Sequence, residues 1–330
     1  MSTAGALRVA ERHAGRQRRL MRSVSAAMRR LWSSVTFADL DGSWLAVSDT
    51  ALVTVTAAQL AAAGTADAYL TAVLAEQGID PAGAGRVVPE RLAGIASDGR
   101  ALETLLQRPV VAAKLAIRAG ATPTRALATG YATLDLIATT QVGDAGRAAD
   151  QVALTARRRV GGYTRMISGR CCSRCAILAG RWYRWNTGFL RHPRCRCRHI
   201  PSAEDRAGDL RTNPRLYFAS LPTADQNRLF TKAGAEAIRD GADISQVVNA
   251  RRGMSTTRLA GRDLAVTTEG TTTRGVAGRR LGASTTATKA AGDRYRRAKA
   301  PRLMPESIYR IADGDREEAI RLLRANGYLR

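Results

Sequence analysis

The chain has 330 residues, enough for two domains or one with appendages, and its apolar share of 45% is that of a globular protein able to build a core. Lys and Arg number 52 against 28 Asp and Glu, a net charge of +24 that points to an anionic partner, either nucleic acid or an acidic protein. No run looks like the ~20 apolar residues of a membrane span, and the N-terminal stretch, with Arg8, Arg12, Arg16, Arg18 and Arg19, has no apolar signal region. Synthesis in a reducing cytoplasm with no membrane partner is therefore expected, and there clustered cysteines bind metal more often than they pair with one another.

In chain order, Leu20, Val24, Ala27, Met28, Leu31 and Val35 recur at helical spacing and predict an amphipathic helix over 7–36, with His13 on its solvated basic surface. A second helix is predicted over 48–77, stopping at Gly78. Shorter helices should start at Pro89 and Pro109. Another starts at Pro123 behind the N-cap Thr122, and one more opens at Asp144 and runs to about 157. Residues 1–158 thus read as a helical domain.

The texture changes at Gly161-Gly162. A strand is predicted at 163–167, a hairpin from 176–178 and 182–185 around Ala179-Gly180-Arg181, and a last strand at 196–200 ended by Pro201. Residues 159–202 form a small Cys-rich β module on this reading. A helical region follows over 203–252, in which a capping box at 223–226 opens a helix that Gly241 stops.

Residues 253–303 are rich in Thr, Gly, Arg and Ala and read as a basic, low-complexity extension with little to bury. Its Arg279, Arg280, Arg294, Arg296 and Arg297 are the expected contacts to nucleic acid or an acidic partner. Pro305 and Asp315 open two C-terminal helices over 304–330, read as a docking element. The fold class is α+β and mainly α-helical: an N-terminal helical domain, a small Cys-rich β-hairpin module, and C-terminal helices with an extended basic segment.

All five cysteines and two of the three histidines fall between Cys171 and His199. Cys172-x-x-Cys175 has the spacing of a zinc knuckle, and an extended 195–197 segment would turn Cys195 and Cys197 to one face. A structural zinc held by Cys172, Cys175, Cys195 and Cys197 is the leading reading, with Cys171, His192 and His199 as alternate ligands. Disulfides or simply packed thiols are the other readings. No HExxH, GxSxG, P-loop or dinucleotide fingerprint occurs. The remaining catalytic candidates are His192 or His199 as a base beside Ser173 or a cysteine, and no catalytic set is assigned from them.

The segment Cys172-x-x-Cys175, Leu178-Ala179-Gly180-Arg181, Gly188-Phe189, His192-Pro193-x-Cys195-x-Cys197 and His199-Ile200-Pro201 resembles the MuF-like minor head proteins of tailed phages. The flanks extend the likeness along most of the chain. Ser43-Trp44, the run at 57–60, the run at 230–235, the run at 247–254 and Met304-Pro305-Glu306-Ser307-Ile308-Tyr309 look like the version carried by phages of actinobacteria.

The resemblance implies a bacteriophage minor capsid protein of head morphogenesis, in the host cytoplasm during assembly and then in the virion head. It implies portal, scaffold or capsid protein as partners, and contact with packaged double-stranded DNA. Proteins of this kind are also labelled capsid maturation protease, and cleavage of head proteins is one alternative function. A zinc-stapled nucleic-acid-binding protein is the other.

Overall fold

The computed structural model describes residues 3–167, 171–188, 192, 193, 195, 197–203, 210, 213–259, 261–283 and 287–329. The chain divides into two compact units, one of Met1–Cys171 with Ala179–Thr212 and one of Cys172–Leu178 with Asn213–Arg330.

The first unit is a helical bundle with a small sheet. Its helices are α1 (Thr3–Trp32), α2 (Leu40–Ala63), α3 (Ala66–Ala75), α4 (Leu102–Leu106), α5 (Arg108–Arg118) and α6 (Pro123–Thr155). Thr122 caps α6, its hydroxyl accepting from the Arg125 N–H at 3.4 Å, with Pro123 in the first turn. Asp144 opens no new helix: α6 runs on through Gly143 and Gly146. Glycine costs a helix ~1 kcal/mol against alanine, but here close packing requires it. A Cβ on Gly146 would meet the Gln17 side chain of α1 at 2.8 Å, and one on Gly130 would run into the Trp32 ring.

The apolar stretch expected as one helix over 48–77 is two helices, α2 and α3, broken at Gly64-Thr65. Counted together, Leu40–Ala75 is long and apolar enough to cross a membrane by length and composition, contrary to the sequence-based expectation that no such run exists. In this structure Trp44, Val55, Leu70 and Leu74 from it are buried in the bundle core.

The first unit's sheet has the antiparallel order β2-β1-β3, with β1 (Gly162–Met166), β2 (Trp182–Arg184) and β3 (Arg198–Ser202). The predicted hairpin is corrected here. Residues 173–176 form a single helical turn, and the partner of β2 is β1, which pairs Tyr163 with Tyr183 as a stacked cross-strand pair 5.4 Å apart. The predicted last strand begins two residues later than expected and runs through Pro201 instead of ending before it; Arg196 lies outside the described residues.

Proline is tolerated because, among the described residues, β3 pairs on one side only, with β1. On the other side the carbonyls of His199 and Pro201, two residues apart, accept from Tyr69 Oη at 2.5 Å and Gln77 Nε2 at 2.8 Å. Residues i and i+2 of a strand direct their backbone groups the same way. The N–H that Pro201 lacks therefore belongs to the α3 side and not to the β1 ladder.

The second unit contains α7 (Ser173–Ala176), α8 (Pro214–Ala219), α9 (Thr223–Phe230), α10 (Lys232–Arg239) and α11 (Ile244–Ala250). After these come β4 (Met254–Leu259), β5 (Arg262–Thr267), α12 (Val276–Arg280), β6 (Arg302–Leu303), α13 (Pro305–Ala312) and α14 (Arg316–Ala325). Thr231, at φ +67°, breaks the single helix expected over 223–240 into α9 and α10, and its hydroxyl caps α10 by accepting from Gly234 N–H.

The composition of 253–303 predicts little burial, yet it forms the antiparallel sheet β4-β5-β6 and buries Leu264, Val266 and Ala277. Arg302 is fully buried against the Tyr328 ring, 4.1 Å from its centroid, and donates to the carbonyls of Asn326 and Glu269 and to Gln246 Oε1. Burial pushes this guanidinium below its ordinary pKa and the Tyr328 hydroxyl up to about 12. With Ile308, Ala319 and Leu323 also buried, α13 and α14 are part of this unit's core.

Candidate metal centre

The cysteine segment reads first as local structure. Cys172 precedes α7 in extended conformation, and its Sγ accepts from the Cys175 N–H at 3.4 Å. This knuckle turns both side chains of the Cys-x-x-Cys pair to one place. Further along, Cys195 N–H donates to the His192 carbonyl at 3.1 Å, closing a turn at His192-Pro193. Cys197 then leads directly into β3.

Among the described residues these features produce two overlapping groups whose ligand atoms all lie within 4.8 Å of one another: Cys172, Cys175 and His192, and Cys175, Cys195 and Cys197. A tetrahedral ion with ~2.3 Å metal–sulfur bonds needs sulfurs ~3.8 Å apart, a separation this limit contains. The cluster could therefore hold a metal. Cys175, Cys195 and Cys197 are buried, Cys172 is half-buried and His192 is exposed.

All four expected ligands, and His192 among the alternates, fall within these two overlapping groups. Cys175 is shared, and Cys172 and His192 are the two sources of a fourth ligand for the buried thiol triad. Cys171 and His199, the other alternates, are in neither group. Ser173 lies in the first turn of α7, half-buried. His199 is buried in β3, opposite Arg165 of β1, with its ring edge-on to Tyr163 at 4.3 Å. A catalytic base needs access to substrate, which this placement does not offer His199.

The strand behind the cysteines rests on a feature that sequence reasoning missed. His13 is not on a solvated surface: it is 6% exposed, and its Nε2 lies 3.2 and 3.4 Å from the two oxygens of Asp150, itself fully buried on α6. The His13 ring stacks on Tyr69 with centroids 4.0 Å apart. Arg198, the first residue of β3, places its guanidinium 3.9 Å from the same carboxylate and donates to Gln17 of α1 at 3.4 Å. Arg147, also on α6, donates to the Cys195 carbonyl at 2.7 Å and pairs with Asp144 at 2.5 Å.

Burial pushes the Asp150 carboxyl up, but His13, Arg198 and His199 together outweigh it and hold the group below its ordinary pKa. Burial and the Asp150 charge push the Tyr69 hydroxyl well above its own. The signal for this cluster was available only as polar residues on otherwise apolar helix faces. His13 and Gln17 stand four apart on α1, and Asp150 lies among the alanines of α6.

The basic candidates are sorted by the structure. Arg279, Arg280, Arg294 and Arg296 are exposed and Arg297 is half-buried. Arg280 is engaged at the end of α14, where it donates to the carbonyls of Arg324 and Leu329. Arg297 donates to the Thr268 carbonyl and pairs with Asp293 at 3.4 Å.

Replacing Asp150 by Asn leaves Arg198 buried beside a neutral group, and should cost ~3–5 kcal/mol of stability at neutral pH. The sign with pH follows from the depressed folded-state pKa. The contribution of Asp150 is complete above ~pH 4, where the unfolded carboxyl is ionised, and is lost as pH falls through the lower folded value. Urea unfolding of wild type and Asp150→Asn should therefore show a large gap at pH 7 that narrows in acid. A gap that is absent at pH 7, or that widens in acid, contradicts this.

No protein-family model, curated protein or solved structure matches this chain.

Proposed function

We propose that the chain is a minor head protein of a tailed phage, acting in head assembly beside the portal and contacting packaged DNA. The observation that carries this reading is the run from Cys172 to Pro201, with its Cys-x-x-Cys and His-Pro-x-Cys-x-Cys halves, together with the gathering of its cysteine and His192 ligand atoms. The charge of +24 supports the DNA contact, since Lys and Arg bind phosphate without sequence preference and weaken steeply with salt. Portal, scaffold or capsid protein is the proposed protein partner. The proposed place is the host cytoplasm during assembly and afterwards the virion head.

Zinc is the ion proposed for the cysteine cluster. Three buried thiolates with a fourth ligand from Cys172 or His192 make a soft, closed donor set, the kind that holds structural zinc. Such an ion stabilises a fold and offers no open position for chemistry, in keeping with an assembly role.

Two measurements test these readings. Protein purified under reducing conditions should carry about one zinc per chain by elemental analysis, and the Cys175→Ser/Cys195→Ser double variant should carry none. Metal-free wild-type protein that is folded and reduced counts against zinc. Gradient-purified virions of the phage that encodes the chain should contain it, detected by mass spectrometry. Its presence only in the soluble lysate, with particles free of it, contradicts the assignment to the head.

A further inference from the structure

In the second unit, three segments of the basic region lie against one another, with 296–298 bonded to both 271–273 and Thr288. Thr273 N–H donates to the Arg296 carbonyl, Thr288 and Arg297 exchange a pair of backbone hydrogen bonds at 2.8 and 2.9 Å, and Ala298 N–H donates to the Thr271 carbonyl. This ladder brings Arg274 and Arg294 to one side chain, Tyr295. Their guanidinium carbons lie 5.2 and 5.4 Å from its ring centroid, and the ring is 37% exposed. Arg279 joins them by donating to the Arg274 carbonyl at 2.9 Å. Arg296 is exposed in the same strand of chain.

Such a grouping of like charges ordinarily recruits carboxylates. Asp293 is the acid in this loop, and it pairs with Arg297. Among the described residues no carboxylate forms an ion pair with Arg274, Arg279, Arg294 or Arg296. A tyrosine face attracts a guanidinium by ~0.5–1 kcal/mol at an exposed site, which restrains the long side chain before any ligand arrives. Arginines ordered in advance lose less entropy on binding, and their forked donors match phosphate oxygens. Duplex DNA offers such oxygens continuously, about one charge per ~1.7 Å of its axis.

We propose that Arg274 and Arg294, held on Tyr295 and flanked by Arg279 and Arg296, form a preorganised site for the phosphate backbone of double-stranded DNA. It rests on the DNA contact in the function proposed above and narrows it. Arg280 and Arg297, also expected from sequence as contacts, are engaged by backbone carbonyls and, for Arg297, by Asp293, while Arg274 and Tyr295 enter the site.

The test is fluorescence-anisotropy titration of a short mixed-sequence duplex with the full chain over a range of salt. Arg274→Ala/Arg294→Ala should weaken binding about tenfold at low salt and flatten the slope of log affinity against log salt by about two. Tyr295→Ala changes no charge, yet should weaken binding about threefold, while Tyr295→Phe, which keeps the ring face, should bind as wild type. Thermal unfolding of each variant separates loss of the site from loss of fold, and Tyr295→Phe must bind normally in the same assay.

If wild type binds the duplex but the double variant and Tyr295→Ala bind equally well, the site is wrong while the DNA contact stands. Failure of wild type itself to bind counts against the DNA contact in the proposed function. Preference for poly-glutamate over duplex at equal salt overturns the site in favour of an acidic protein partner.

Discussion

The first unit depends on one buried negative charge. Asp150 is fully enclosed on α6, and a carboxylate there is costly unless it is paired. Its partners come from two other elements, His13 from α1 and Arg198 from β3. Meeting that charge fixes the start of β3, and with it the direction in which the chain arrives from Cys195 and Cys197. Tyr69 then secures the same strand through the His199 carbonyl while its ring supports His13, so one side chain serves both the charge and the backbone. Leaving such a charge without His13 and Arg198 would be costly, whatever the net worth of the pairing in stability.

Much of the fold was legible because it follows from local rules. The helix at Thr122-Pro123 and the change of texture at Gly161-Gly162 were marked by capping and turn chemistry, and the strand expected over 163–167 forms one residue earlier, over 162–166. The failures share a cause, which is that packing overrode a local signal. A new helix was expected to open at Asp144, yet α6 runs on through Gly143 and Gly146, where the missing side chains let α1 approach. Arg302 reads as one more surface cation in a basic tract, yet it is the buried centre of the second unit, stacked on Tyr328 and donating to three groups.

The candidate metal centre was legible in part, and for a similar reason. The Cys-x-x-Cys spacing gives a knuckle from covalent geometry alone. The approach of Cys195 and Cys197 to Cys175 requires the chain to return through β2 and turn at His192-Pro193, which spacing does not encode. His13 shows the opposite error: a histidine in an arginine-rich helix looked solvated, because the carboxylate that buries it lies 137 positions away. The basic segment divides on the same principle, with some arginines used by the fold and others left facing solvent.

The dependence of β3 on Asp150 is tested most directly by amide hydrogen exchange on wild type and Asp150→Asn at neutral pH. If Asp150 holds the strand, the amides of β3 and its partner β1 lose protection in the variant well beyond those of α5, which packs in the other core cluster of the bundle. Protection of β3 that is unchanged, or that falls only in step with α5, would contradict that role.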